Sequence, residues 1–386
     1  MRLAVLWLLF VPQANSQAKD LDVLSAIPSV EWTRSLPGKR AGGQFHTERS
    51  TPVVHGELVY VGASGSHALH AFDLDNGNNV QDYPAEAAVY SQPVFTGGAL
   101  FFSDSAGYTY RYEIGAKTPT WSHFSGVPIG SNPTLAGKAV LVATVDDLVF
   151  SLDTETGKPN WRYQHPPDAT RKSELTLFGA PSPVVRDTQA LFGFSDGALA
   201  GFDLETGELA WSRQVGEGRY PDLIATPALQ GNDIYLGAFS KPFIALDAAG
   251  MTARWSIPYG TAAKAAIHND RLYLGGSDGK LRAIDRITGE QAWVWDSKTA
   301  GALTEPQVAA AGIIVTSSDG GVYIVSTATG KLAWEYEPGH NLEGVSAGAA
   351  LAGKRVIVVT NGGKLISFRQ ISVDGPPSDW QDWNLD

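Results

Sequence analysis

The sequence predicts an all-β protein, an eight-bladed β-propeller of four-stranded antiparallel blades closed by pairing of the N-terminal strand around Trp32 with the C-terminal blade. Three observations predict it. A turn motif ending in Trp recurs about every forty residues, a period typical of propeller blades. Each copy follows apolar or alternating runs of strand length, and 42 Gly and 22 Pro supply more turn formers than a helical protein uses.

The motif is a strand ending in Asp, a Thr-Gly turn, and a strand bearing Trp. It reads Asp153-Thr154-Glu155-Thr156-Gly157 to Trp161, Asp203-Leu204-Glu205-Thr206-Gly207 to Trp211, and Asp285-Arg286-Ile287-Thr288-Gly289 to Trp293. Ser326-Thr327-Ala328-Thr329-Gly330 to Trp334 has lost the Asp, weaker copies end at Trp121 and Trp255, and one places Tyr83 in the Trp position. The residue types have a structural explanation. Asp accepts turn N–H bonds, Gly takes positive φ, and Trp packs between neighbouring sheets.

Upstream of the copies lie runs such as Val140-Leu141-Val142 and Leu272-Tyr273-Leu274, each followed by a polar Gly turn, as a hairpin requires. A shorter strand precedes each run. Many of these are opened by Pro, at Pro52, Pro93, Pro133, Pro183, Pro227 and Pro306, where a missing N–H costs little. The last unit, through Val356 to Val359 and Leu365 to Phe368, has three strands and no Trp strand after it, whereas Trp32 has no strands before it. Joining the two completes the eighth blade and removes an open sheet edge.

The chain has 386 residues, is 43% hydrophobic and 18% charged, and carries a net charge of −11, which argues against nucleic acid or an anionic membrane as the main partner. It has no cysteine, which excludes disulfides, thiolate catalysis and Cys-based zinc sites. Met1-Arg2, an apolar run to Val11 and a small-residue stretch to Ala18 have the order of a secretory signal, so residues 1–18 are expected to be a signal peptide. Residues 19–29 then form a linker, 30–371 the propeller, and 372–386 an acidic tail carrying Trp380 and Trp383. No other stretch is long and apolar enough to span a bilayer.

Several site-like strings fail on context. Gly193-Phe194-Ser195-Asp196-Gly197 and Gly275-Gly276-Ser277-Asp278-Gly279 match a hydrolase elbow but sit between two strands, where that chemistry needs a strand-to-helix turn. Asp73 to Asn78 resembles a calcium loop, yet its Gly falls one residue early and the twelfth position is Pro84. The eight His lack zinc-site spacing. No catalytic residue, cofactor or metal is expected.

Function in a repeat protein concentrates where the period breaks. Fifty residues separate Trp161 from Trp211 against forty between Trp121 and Trp161, and the excess is His165 to Ala180. The next connection, Gly216 to Pro227, is also long. Both join a fourth strand to the next first strand, so both should emerge on one face of adjacent blades. Leu175, Leu177, Phe178, Arg219, Tyr220 and Asp222 give them the mixed character of an interaction surface.

The Asp-x-x-Thr-Gly-x-x-x-Trp repeats resemble the quinoprotein-type propeller family, and the exported single propeller resembles its member family BamB, a component of the outer-membrane β-barrel assembly machine, over roughly residues 30 to 370. In that family a Leu-x-Leu-Arg-Gly loop and an Arg plus Asp-Val-Asp-Thr-Thr-Pro loop contact the periplasmic domains of the barrel-forming subunit. Leu175, Leu177 and Gly179 match the first; Arg219, Asp222, Thr226 and Pro227 match the second. Phe178 replaces the Arg and Ile224 the second Asp, and the lipid-bearing Cys is absent. The resemblance implies a non-enzymatic scaffold that binds the barrel-forming subunit, other assembly-machine subunits and unfolded outer-membrane proteins. It implies a periplasmic location, held at the outer membrane through partners. A pyrroloquinoline-quinone-dependent dehydrogenase and a generic exported protein- or glycan-binding propeller remain open alternatives.

Overall fold

The computed structural model describes residues 26–38, 47–166, 179–218, 220–310, 312–339 and 344–372. Among them lie eight four-stranded sheets, all antiparallel, arranged as consecutive blades. Blades one to seven span 53–84, 94–124, 134–164, 184–214, 228–257, 266–296 and 307–336. The eighth is built from Ala350–Ala352, Arg355–Val359, Lys364–Ser372 and, as its outermost strand, Ala26–Ser35. Trp32 pairs with Ser367 and Ser35 with Lys364, so the ring closes as expected. The expected signal peptide and the tail from 373 onward lie outside the described residues.

Second and third strands are sandwiched between neighbouring blades, and so read as unbroken apolar runs. In blade three, Ala139–Ala143 and Leu148–Asp153 are buried on both faces through their centres. Fourth strands face solvent at the rim and alternate, as in Leu209–Gln214. Each opening Pro sits one residue ahead of a first strand, Pro52 before Val53 and Pro133 before Thr134, so its missing N–H falls outside the ladder. The core consists of eight apolar wedges, one per seam. Trp32, Val59, Phe72, Ile357 and Leu365 fill the closing seam, and Leu141, Val149, Phe192 and Phe202 that between blades three and four.

The repeated motif explains the seams. Trp161 of blade three lies on Gly207 of blade four's turn, where φ is 73° and an added Cβ would stand 2.4 Å from the indole. Its Nε1 donates to Leu204 O at 2.9 Å. Trp32, Trp121, Trp255 and Trp293 likewise donate to Leu74, Thr154, Arg286 and Thr327 carbonyls at 3.0–3.1 Å and cover Gly77, Gly157, Gly289 and Gly330. The turn itself is held by its Asp: Asp203 Oδ1 accepts from Glu205 N at 3.0 Å and Thr206 N at 2.8 Å.

Three seams depart from this. Tyr83 does not occupy the Trp position of blade one. Register pairs Ala71 with Gln81 where blade three pairs Ser151 with Trp161, and Tyr83 lies two residues further on. Gln81 Nε2 donates to Ala116 O at 3.3 Å in place of an indole, while the Tyr83 hydroxyl accepts from Gly115 N at 3.1 Å. Trp211 turns to Gln189 of its own blade, at 3.0 Å. Trp334 has no joining turn in blade eight and meets Phe368 edge-on, 5.4 Å between centroids.

Glu31 is the extra residue of a bulge in the closing strand, between the paired Val30 and Trp32. Its carboxylate accepts two bonds from Arg355, at 2.7 and 2.8 Å, and one from Arg369 at 3.2 Å. Arg355 also reaches Asp75 of blade one at 2.8 Å. The bond to Arg355 holds the Glu31 carboxyl below its ordinary range against the opposing effect of burial.

First strands line an axial channel. Two residues before the strand, a polar side chain accepts the backbone N–H of its counterpart in the preceding blade. Asn132 Oδ1 accepts from Gln92 N at 2.8 Å, Ser182 Oγ from Asn132 N at 3.2 Å, Thr226 Oγ1 from Ser182 N at 3.0 Å, and Thr51 Oγ1 from Gly348 N at 2.8 Å. This girdle orders the inner strands.

Gly207→Ala is expected to lose at least about 2 kcal/mol, from a left-handed backbone and collision with Trp161. Gly137→Ala, at φ 60° with nothing within 4 Å of its Cβ, carries only the backbone strain and should lose less. Urea unfolding followed by circular dichroism compares them. Glu31→Gln should cost about 2 kcal/mol near neutral pH by uncoupling Arg355. Because the folded carboxyl titrates below its unfolded value, the wild-type advantage is full above the ordinary glutamate range and fades as pH falls through the folded pKa. Urea midpoints from about pH 7 down to about pH 3 read this out.

Candidate docking face

Antiparallel order places the second-to-third turns and the fourth-to-first connections on one face, and the remaining turns on the other. The two long connections therefore share a face. They leave the ends of Pro159–Gln164 and Leu209–Gln214 and flank the blade-four turn 194–197. That turn binds both.

On one side, the His165 ring stacks on Phe194 at 4.1 Å and 8°, and its Nε2 lies 2.8 Å from Asp196 Oδ2. Asp147, in blade three's equivalent turn, accepts from Ser195 N at 3.0 Å and Ser195 Oγ at 2.5 Å. Burial raises the Asp147 carboxyl above its ordinary range, opposed by the Ser195 bonds and by His165. Where this connection returns to the channel, Ala180 N donates to Gly130 O at 3.1 Å, and Ser182 N to Thr226 Oγ1 of the second connection at 3.0 Å.

On the other side, Val215 N and Gly216 N both donate to Gly197 O at 2.9 Å, and Leu223 N to Phe194 O at 3.2 Å. Gly197 has φ 89°, and a Cβ there would stand 2.8 Å from Gly216 Cα. Two chains can approach so closely only through glycine. Val215, Leu223 and Ala225 are buried beneath the connection.

Of the residues the sequence singles out, Leu175, Leu177, Phe178 and Arg219 lie outside the described residues. Tyr220 is half-buried; Asp222 is only 1% exposed, with its carbonyl accepting from Phe239 N at 3.0 Å. Ser195 and Asp196 stand in the Gly193 to Gly197 string, which the sequence reads as a plain hairpin turn, and no motif joins them to Asp147 or His165. The signals are that string and the position of His165 as the first residue of the irregular stretch. The two Gly-x-Ser-x-Gly strings are hairpin turns between strands, and Asp73 spends its Oδ1 on Asp75 N and Asn76 N at 3.0 and 2.9 Å. A third long connection, from Ser35 to Val53, opens on the same face, with 39–46 outside the described residues. Among the described residues, no group of three or more His, Asp or Glu is placed to hold a metal ion, and no helix is long and apolar enough to cross a membrane.

A family model described as outer membrane protein assembly factor BamB matches residues 86–294 and 260–372. The chain belongs to this family. It is 30% identical to the BamB of Legionella pneumophila over 206 residues, 52% of each chain. It is 25% identical to the BamB of Burkholderia pseudomallei over 348 residues, covering 88% of this chain and 87% of that one. Among solved structures, BamB from Moraxella catarrhalis superposes with a TM-score of 0.73 at 19% identity, over 89% of this chain and 98% of the other. Quinohemoprotein alcohol dehydrogenase from Comamonas testosteroni reaches 0.68 at 14% identity, over 89% and 76%. Likeness at that identity shows the propeller alone. The BamB relatives are assembly factors, not enzymes, and the dehydrogenase alternative rests only on the shared fold.

Because Asp147 titrates above its unfolded value, its contribution is greatest at low pH and is lost as pH rises through the folded pKa. Asp147→Asn should therefore gain on the wild type as pH rises from about 4 to about 7, read as the difference in urea midpoints.

Proposed function

We propose that the chain is a non-enzymatic scaffold in outer-membrane protein assembly, on the periplasmic side of the outer membrane and held there by its partners. It docks onto the periplasmic domains of the barrel-forming subunit through the connections 165–180 and 216–227. Membership of the BamB family supports the first part. The second is supported by one observation: the described ends of both connections, His165 on one side and Val215, Gly216 and Leu223 on the other, are held on the same turn, 194–197. Leu175, Leu177, Phe178, Arg219 and Tyr220 are the contacts, and Asp222, only 1% exposed, keeps the second connection in place. Phe178, where the family has Arg, moves the contact toward apolar packing.

Pull-down or calorimetry with the isolated periplasmic domains tests this. Leu175→Ala, Leu177→Ala and Asp222→Ala together should weaken binding at least tenfold, about 1.4 kcal/mol. Tyr220→Ala separates contact from support of the fold, and Ile287→Ala, on an exposed turn of the opposite face, should leave binding unchanged. Equal binding by the triple variant would overturn the site; no binding by wild type would overturn the partner.

A further inference from the structure

The girdle around the axial channel is neutral where it is complete. Asn132, Ser182, Thr226 and Thr51 each spend an oxygen on the preceding blade. At blades six and seven the equivalent positions are charged, Lys264 and Glu305, two residues ahead of Ala266–His268 and Gln307–Ala309. Both residues line the channel, where they border one cavity of about 560 Å³ and a second of about 880 Å³. Each volume lies within the range of small-molecule sites.

No ion pair within 4.0 Å joins Lys264 to Glu305, or either to another described residue. Burial raises the Glu305 carboxyl, and Lys264 is the charge acting against it. The channel thus holds two opposite charges, both half-buried and not in direct contact. A simple anion would answer Lys264 but be repelled by Glu305, and a simple cation the reverse. A molecule carrying both charges answers both.

We infer that the channel between blades six and seven binds a small zwitterion, a free amino acid or a short unblocked peptide, with its carboxylate on Lys264 and its ammonium on Glu305. Gln92 and Asn132, which also line the smaller cavity, supply neutral amide groups for the rest of the ligand.

Calorimetric titration of the full chain with glycine, γ-aminobutyrate and diglycine, against acetate and methylammonium, tests this. At least one zwitterion should bind with a Kd of about 1 mM or tighter, and acetate and methylammonium at least about tenfold more weakly. Lys264→Met and Glu305→Gln should each weaken zwitterion binding about tenfold or more, and the exchange Lys264→Glu with Glu305→Lys should recover part of the loss. Near-UV circular dichroism confirms that each variant is folded, and the exchange variant keeps the test decisive if one single variant is not. Absence of binding by every zwitterion at about 10 mM would overturn the inference, as would binding that neither single variant changes. Docking of the periplasmic domains, measured on the same preparations, should be unaffected by these variants, so the two readings fail independently.

Discussion

An indole laid across a glycine of the next blade's turn sets the geometry on which the ring depends. The contact is short and directional: the glycine has no Cβ to hold the ring away, and the indole N–H reaches a carbonyl one residue past the turn's first position. Apolar wedges supply the area buried between blades, but burial is non-directional and permits sliding. The indole and its carbonyl set the offset of each blade on its neighbour. Because Trp32 makes the same contact with blade one, the strand that closes blade eight also locks the first seam.

Closure then determines which residues can act together. Each blade is a simple meander, so every second-to-third turn and every inter-blade connection is delivered to one face. Blade four's turn is a meeting point of two connections: His165, where the first leaves its strand, stacks on Phe194, and Val215, Gly216 and Leu223 of the second bond to Gly197 and Phe194. The seam between blades four and five is also where the indole contact is lost, with Trp211 turned to Gln189. The departure from the repeat extends from the loops into the seam beside them.

How much of the fold and the site is legible in the sequence depends on the range of the interaction involved. Asp, Gly and Trp at fixed offsets declare a turn and a following strand, and the count of strands follows from their recurrence. Tyr83 reads as the seam residue of blade one because it is aromatic, but the position belongs to Gln81, which stands four residues after Gly77 as Trp161 stands after Gly157. Asp222 reads as a surface anion beside Arg219 and Tyr220, but the connection folds inward over Leu223 and Ala225 and takes the carboxylate with it. Asp147 and Ser195 are 48 residues apart, so no local pattern announces their hydrogen bonds.

By itself the sequence determined the all-β class, the four-stranded blade, the eighth blade shared by two distant segments, and the two stretches where the period breaks. These are local, because strand alternation and turn chemistry act within a few residues and the repeat multiplies them. Only the tertiary structure decided which side chains meet across seams: Gln81 with Ala116, Glu31 with Arg355 and Asp75, His165 with Phe194 and Asp196, and Lys264 facing the same channel as Glu305. Those contacts depend on how far each blade turns about the axis, a quantity fixed by packing around the whole ring rather than by any one segment.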